Sequence, residues 1–157
     1  MIQRIQTIYL VLIIVLSFFM LSGNIIVAEN QNGAVVNFKF SENGHEFLAG
    51  QSTQKINLTI AISQKITIAI ILLSSISVFL YKKRKIQNIL TVFIAVLSVI
   101  LILAMSYLIF VVSEILSNKI IPGIRTFIPP VLLLLAILAA RGIRHDENLI
   151  KSYERLR

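Results

Sequence analysis

Apolar positions fall into four long runs, roughly residues 7–27, 60–81, 86–112 and 126–140, separated by short polar stretches. A bilayer's hydrocarbon core is about 30 Å thick and takes about 20 helical residues to cross. The pattern therefore predicts four membrane-spanning helices over residues 5–27, 58–81, 86–113 and 124–142, within one integral membrane domain covering 1–157. A cleavable signal peptide has an apolar region of about 7–15 residues and a small-x-small cleavage site. The first run is longer, and Val27-Ala28 before Glu29 is a poor match, so the pattern predicts a retained helix.

The one sizeable polar segment, residues 28–57, follows the first run. Within it Val36, Phe38 and Phe40 alternate with Asn37 and Lys39, the period of a half-buried strand. Asn43-Gly44 is a strong two-residue hairpin signal, because both positions tolerate positive φ. The reading is a small β-hairpin with residues 45–49 as the return strand. A lone hairpin is marginal in water and must pack on something. Phe38, Phe40 and Phe47 are its candidate partner-binding residues.

Charge fixes the predicted orientation. The chain carries a formal net charge of +8, and its cations cluster at the ends of apolar runs. Arg4 precedes the first run, Lys82, Lys83, Arg84 and Lys85 separate the second and third, and Arg141 and Arg144 follow the fourth. Positive residues flanking spans mark the cytoplasmic side. An even number of crossings then places both termini in the cytoplasm and the 28–57 loop outside, in the periplasm of a bacterial inner membrane. This distribution also argues against a nucleic-acid partner, which needs a folded basic face.

The tail, residues 143–157, reads as a cytoplasmic amphipathic helix. Leu149, Tyr153 and Leu156 recur at helical spacing with Ile150 beside them, and Glu147 and Lys151 stand at i,i+4. Asp146, Glu147, Leu149, Ile150, Tyr153 and Arg155 are its candidate partner-binding residues. Asp146 is expected to cap this helix or to bridge to Arg141, Arg144 or a partner's basic patch, with a solvated polar face as the plain alternative.

Two terminal blocks carry a family resemblance. Met1-Ile2-Gln3-Arg4-Ile5-Gln6-Thr7-Ile8-Tyr9-Leu10 resembles the start of an uncharacterised membrane family of Bacteroidota, domain of unknown function 4293. The block Leu138-Ala139-Ala140-Arg141-Gly142-Ile143-Arg144-His145-Asp146-Glu147 is similar to that family's tail, as are Leu149-Ile150-Lys151-Ser152 and Arg155-Leu156-Arg157. The resemblance implies a four-helix inner-membrane protein with a periplasmic first loop. It implies no activity and no catalytic residue.

Candidate chemistry is sparse. There is no cysteine, which excludes disulfides, thiolate metal sites and thiol redox chemistry. His45 and His145 are expected on opposite sides of the membrane, so they cannot share a metal, and no nucleophile elbow or phosphate-binding glycine loop is present. Lys65 and Glu114 are the candidate intramembrane polar residues, expected near the outer boundary, where they snorkel or pair across a vestibule. The serines of the second and third runs are expected to act as interhelical glue.

The expected fold is all-α membrane: a four-transmembrane-helix bundle with a small β-hairpin in the first outer loop and a C-terminal cytoplasmic amphipathic helix. The expected role is non-enzymatic and without cofactor: a small inner-membrane accessory or scaffold subunit of a larger membrane complex. Its partners are then the lipid bilayer and a membrane protein of unknown identity. The alternative is a small homo-oligomeric transporter or channel.

Overall fold

The computed structural model describes residues 3–29, 35–39, 51–80, 83–116 and 120–155. In chain order these form α1 (Gln3–Leu21), β1 (Asn24–Glu29), β2 (Val35–Lys39), α2 (Gln51–Phe79), α3 (Arg84–Leu116), β3 (Ile120–Pro122), a 3-10 turn (Ile124–Phe127) and α4 (Ile128–Arg155). The helices pack as a ring, each against its two neighbours: α1 on α2, α2 on α3, α3 on α4, and α4 back on α1.

Among the described residues three helices are long and apolar enough to cross a membrane: Ile56–Phe79, Arg84–Glu114 and Ile124–Asp146, with mean hydropathies of 1.9, 2.9 and 2.0. The apolar part of α1, Gln6–Leu21, is shorter. The expected first span of 5–27 is therefore corrected, since α1 stops at Leu21 and Asn24–Glu29 is a strand. The cause is local. Ser22-Gly23 breaks the helix, and Ile25, Ile26 and Val27 are β-branched residues that favour a pleated surface.

Among the described residues that strand is the centre of a three-stranded antiparallel sheet of order β2-β1-β3. A strand is present at Val35–Lys39, where the alternation predicts one, and the partner it has among the described residues lies upstream. Val35–Lys39 pairs backward with Asn24–Glu29, in the register Ile26↔Phe38 and Ala28↔Val36. Asn43-Gly44 and the proposed return strand at 45–49 lie outside the described residues. On its other side β1 pairs with β3 in the register Ile26↔Pro122 and Ala28↔Ile120. A bulge between Asn24 and Ile26 lets Ile25 and Ile26, though consecutive, both be fully buried.

The bulge frees the Ile25 carbonyl, which accepts from the Gly123 amide at 2.9 Å and the Thr126 hydroxyl at 2.7 Å. A Cβ on Gly123 would lie 2.7 Å from that oxygen and 3.0 Å from the Asn24 oxygen. Gly123→Ala must push two backbones apart. We expect it to cost about 1–3 kcal/mol, as other overpacked contacts do, read as a lower thermal midpoint by circular dichroism in micelles. Beside it Arg125 closes α1. Its Nε donates to the Phe19 carbonyl at 3.0 Å, reinforcing the longer 3.4 Å bond that this carbonyl accepts from the Ser22 amide, and its guanidinium lies 4.5 Å from the Phe19 ring centroid.

α4 begins with Pro129-Pro130 in its first turn, where missing amide donors do little harm. It then continues to Arg155 as one 28-residue helix. The tail helix is thus the last turns of α4 and not a separate element. Gly142 does not end the helix, because its role is proximity: a Cβ there would lie 3.0 Å from Gln6 Cγ.

Inward positions recur at alternating steps of three and four, the period of left-handed bundle packing. On α1 they are Gln6, Leu10, Ile13, Ser17 and Met20; on α2, Ile60, Ser63, Thr67, Ile70, Ser74 and Ser77. On α3 they are Gln87, Thr91, Ile94, Ser98, Leu101 and Met105; on α4, Leu132, Ala136, Ala139, Ile143 and Asp146. The outward faces carry large apolar side chains such as Val15, Phe93, Leu103 and Leu134, each more than half exposed. Oil faces out, while hydroxyls and amides share the interior. A soluble bundle has the reverse arrangement.

Candidate functional site

The polar interior is organised in levels. Counting from the turn at residues 80–83 sets α2 against α3: Ser77 with Gln87, Ser74 with Thr91, Ile70 with Ile94, and Thr67 with Ser98. α1 and α4 are keyed by a hydrogen bond from Gln6 Nε2 to Asp146 Oδ2. The same counting then levels Leu10 with Ile143, Ile13 with Ala139, and Ser17 with Ala136. Arg84 Nη1, donating to the Asp146 backbone oxygen at 3.2 Å, joins the two pairs at one end.

Four levels follow from that end. The first is wholly polar: Gln6, Ser77, Gln87 and Asp146. The second mixes Leu10, Ser74, Thr91 and Ile143, and the third is wholly apolar: Ile13, Ile70, Ile94 and Ala139. The fourth holds three hydroxyls, Ser17, Thr67 and Ser98, with Ala136.

The polar end is the candidate site. Asp146 is only 5% exposed. One carboxyl oxygen accepts from Gln6, and the other, Oδ1, has no hydrogen-bond partner among the described residues. Asn88 Oδ1, at the same end of α3, also has no partner among the described residues. Cations gather at the same end of the bundle: Lys83, Lys85, Arg141 and Arg144 are exposed, and Arg84 is half-buried. The arrangement ties the two chain-terminal helices together and leaves one carboxyl oxygen able to take a donor. Among the described residues no three His, Asp or Glu side chains gather to hold a metal.

The hydroxyls divide into two groups. Thr67, Thr91 and Ser98 bond to the carbonyl four residues back, each at 2.8 Å. Ser17, Ser63, Ser74 and Ser77 are buried with no partner for their hydroxyls among the described residues. An unsatisfied buried hydroxyl costs stability, so Ser74→Ala and Ser77→Ala are expected to leave the unfolding midpoint unchanged or raise it. Thermal unfolding in micelles reads this directly.

Several expected site residues fall elsewhere than anticipated. Phe38 is 0% exposed in the core that joins sheet to helices, so it is not an open contact residue. Phe40 and Phe47 lie outside the described residues. Asp146 is neither a cap nor solvated, because it sits mid-helix and faces Gln6. Glu147, Leu149, Ile150, Tyr153 and Arg155 lie on the last turns of α4, their side chains outside the described set, and Arg4 stands likewise in the first turn of α1. Lys82 lies outside the described residues.

Lys65 and Glu114 are both exposed on the flanks of the bundle. Counting from the 80–83 turn levels Lys65 with about residue 100, some 20 Å along the axis from Glu114. They do not pair, which corrects the vestibule. Gln6, Arg84 and Gln87 were missed as members of the polar end. The signal was present in the run Gln87, Thr91, Ser98 on one helical stripe.

No curated protein and no solved structure matches the chain. A family model does match, over residues 2–156, and the chain belongs to the family described as Domain of unknown function (DUF4293).

Proposed function

We propose that this protein is a small, non-enzymatic, multi-pass subunit of a bacterial inner membrane that serves as an accessory or scaffold for a larger membrane complex. In this reading all four helices cross the bilayer. The cationic end, with Lys83, Lys85, Arg141 and Arg144, lies in the cytoplasm with both termini. The sheet end faces the periplasm, and single cysteines introduced at Gly44 and Ser152 should label from opposite compartments.

The observation that carries the scaffold reading is the complete apolar level of Ile13, Ile70, Ile94 and Ala139, each 0% exposed. It closes the cross-section, so a single bundle offers no continuous polar path and its recognition surfaces are its flanks and two ends. Affinity purification in mild detergent tests this. A stoichiometric membrane partner is expected, and recovery of the chain alone counts against it.

The second reading, a homo-oligomeric transporter or channel, draws on one observation: the hydroxyls of Ser17, Ser63, Ser74 and Ser77, which have no partner among the described residues. Because Lys65 and Glu114 lie on the outer flanks, their participation requires a path between copies. This reading predicts flux in liposomes that Lys65→Ala abolishes.

A further inference from the structure

Two apolar hollows lie end to end along the seam between α3 and α4. One, of about 330 Å³, is lined by Val92, Val96 and Val99 of α3 and by Leu133 and Ile137 of α4, and it ends at Arg141 and Arg144. The other, of about 310 Å³, continues one turn further, from Ile102 and Pro130 to Ile109 and Pro122, and no charged residue lines it. The seam is therefore greasy throughout and cationic at one end alone.

The geometry points to a binding site for one anionic phospholipid of the cytoplasmic leaflet, its acyl chain along Val92–Val99 and its phosphate between Arg141 and Arg144. The inference rests on the membrane reading above. Charge complementarity selects the occupant. Arg141 and Arg144 are three residues apart on one face of α4, both exposed, and neither guanidinium has a protein partner among the described residues. Lys85 stands seven residues before Val92, two turns back on the same face of α3, and is also exposed. Two cations thus line the mouth of the groove, and a third stands on α3 beyond the same end. The depth fits as well: from Arg144 to Leu133 a helix rises about 16 Å, close to half of a hydrocarbon core of about 30 Å. An apolar partner helix would fill the seam equally well but would leave the guanidiniums without a counter-charge.

Native mass spectrometry of the full chain in mild detergent tests the site, with phosphatidylglycerol or phosphatidylcholine of equal chain length added. One phosphatidylglycerol per chain is expected to be retained. Each arginine near anionic lipid contributes about five-fold, so together they give roughly a 25-fold preference over phosphatidylcholine. Arg141→Gln with Arg144→Gln should abolish the preference, whereas Lys65→Gln, which removes a cation from a distant flank, should preserve it. Val96→Trp, which fills the groove and keeps both arginines, should reduce retention itself. Circular dichroism confirms that each variant is folded.

Equal retention of both lipids, or a preference indifferent to the arginine pair, overturns the proposal. So does a dimer that excludes phosphatidylglycerol and dissociates with Val96→Trp, since the groove then holds a second copy. A chain that stays dispersed in buffer without detergent instead removes the membrane reading beneath it.

Discussion

Phe38→Ala is expected to be among the most destabilising single substitutions in the chain, at about 3–5 kcal/mol, the range for truncating a buried aromatic ring. Phe38 is fully buried in the same core as Ile25, Ile26, Ile56 and Val112. It stands opposite Ile26 across the β1–β2 ladder, so its ring couples the sheet to the helices beneath. The bulge at Ile25 supports the effect, because two adjacent buried isoleucines leave little freedom for the site to collapse around the cavity. Denaturation by increasing SDS fraction in mixed micelles, followed by circular dichroism, measures it. Phe18→Ala makes the control: Phe18 is 56% exposed on the outer flank of α1, and its truncation removes contact with detergent rather than with protein, so a cost below about 1 kcal/mol is expected. The two roles of Phe38 separate cleanly. As an open contact residue, its loss would leave the isolated chain's stability intact and weaken partner recovery; as a core residue, it lowers stability with no partner present.

What was legible in the sequence follows the reach of each interaction. Helix α3 was plain, because hydropathy and the cations at Lys82–Lys85 both act locally, and the reading of 86–113 differs from Arg84–Leu116 only in its end turns. The sheet was legible only in part. The strand at Val35–Lys39 shows itself by alternation, but its partner does not, since pairing is a long-range choice. The Asn43-Gly44 signal argued for the downstream neighbour. Residues Ile25–Val27 look like helix to a hydropathy count and like strand to a count of β-branching, and the break at Ser22-Gly23 was the feature that decides between them. The third strand, Ile120–Pro122, is too short to leave a pattern. The polar end was the least legible part. Gln6 and Asp146 are 140 residues apart, and Asp146 lies in a charged stretch that reads as solvated when taken alone. Its burial becomes visible only when Leu132, Ala136, Ala139 and Ile143 are extended by one more step of three.

Gln6→Ala is expected to cost about 2–3 kcal/mol, more than its size suggests, because it strands a buried carboxyl. Asp146 already has one oxygen without a partner among the described residues, and losing Gln6 leaves the second without one as well. Leaving a buried polar group unsatisfied costs about 1–3 kcal/mol, and more for a charged group. Asp146→Asn keeps an oxygen for the Gln6 amide and should cost less than about 1 kcal/mol. Replacing both partners by leucine removes donor and acceptor together and should recover most of the loss, since an apolar pair of similar volume often matches a buried polar one. A double-mutant cycle on Gln6 and Asp146 is then expected to return about 1–2 kcal/mol of coupling, read from unfolding in micelles. Zero coupling would mean that the hydrogen bond joining α1 to α4 contributes nothing to the fold. The same variants also separate structure from function. Asp146→Asn preserves the clasp but removes the carboxyl's charge chemistry. If it unfolds normally yet loses the co-purifying partner or any liposome flux, the free oxygen of Asp146 is the functional atom. If partner recovery and flux follow stability through the whole set, the polar end serves the scaffold alone.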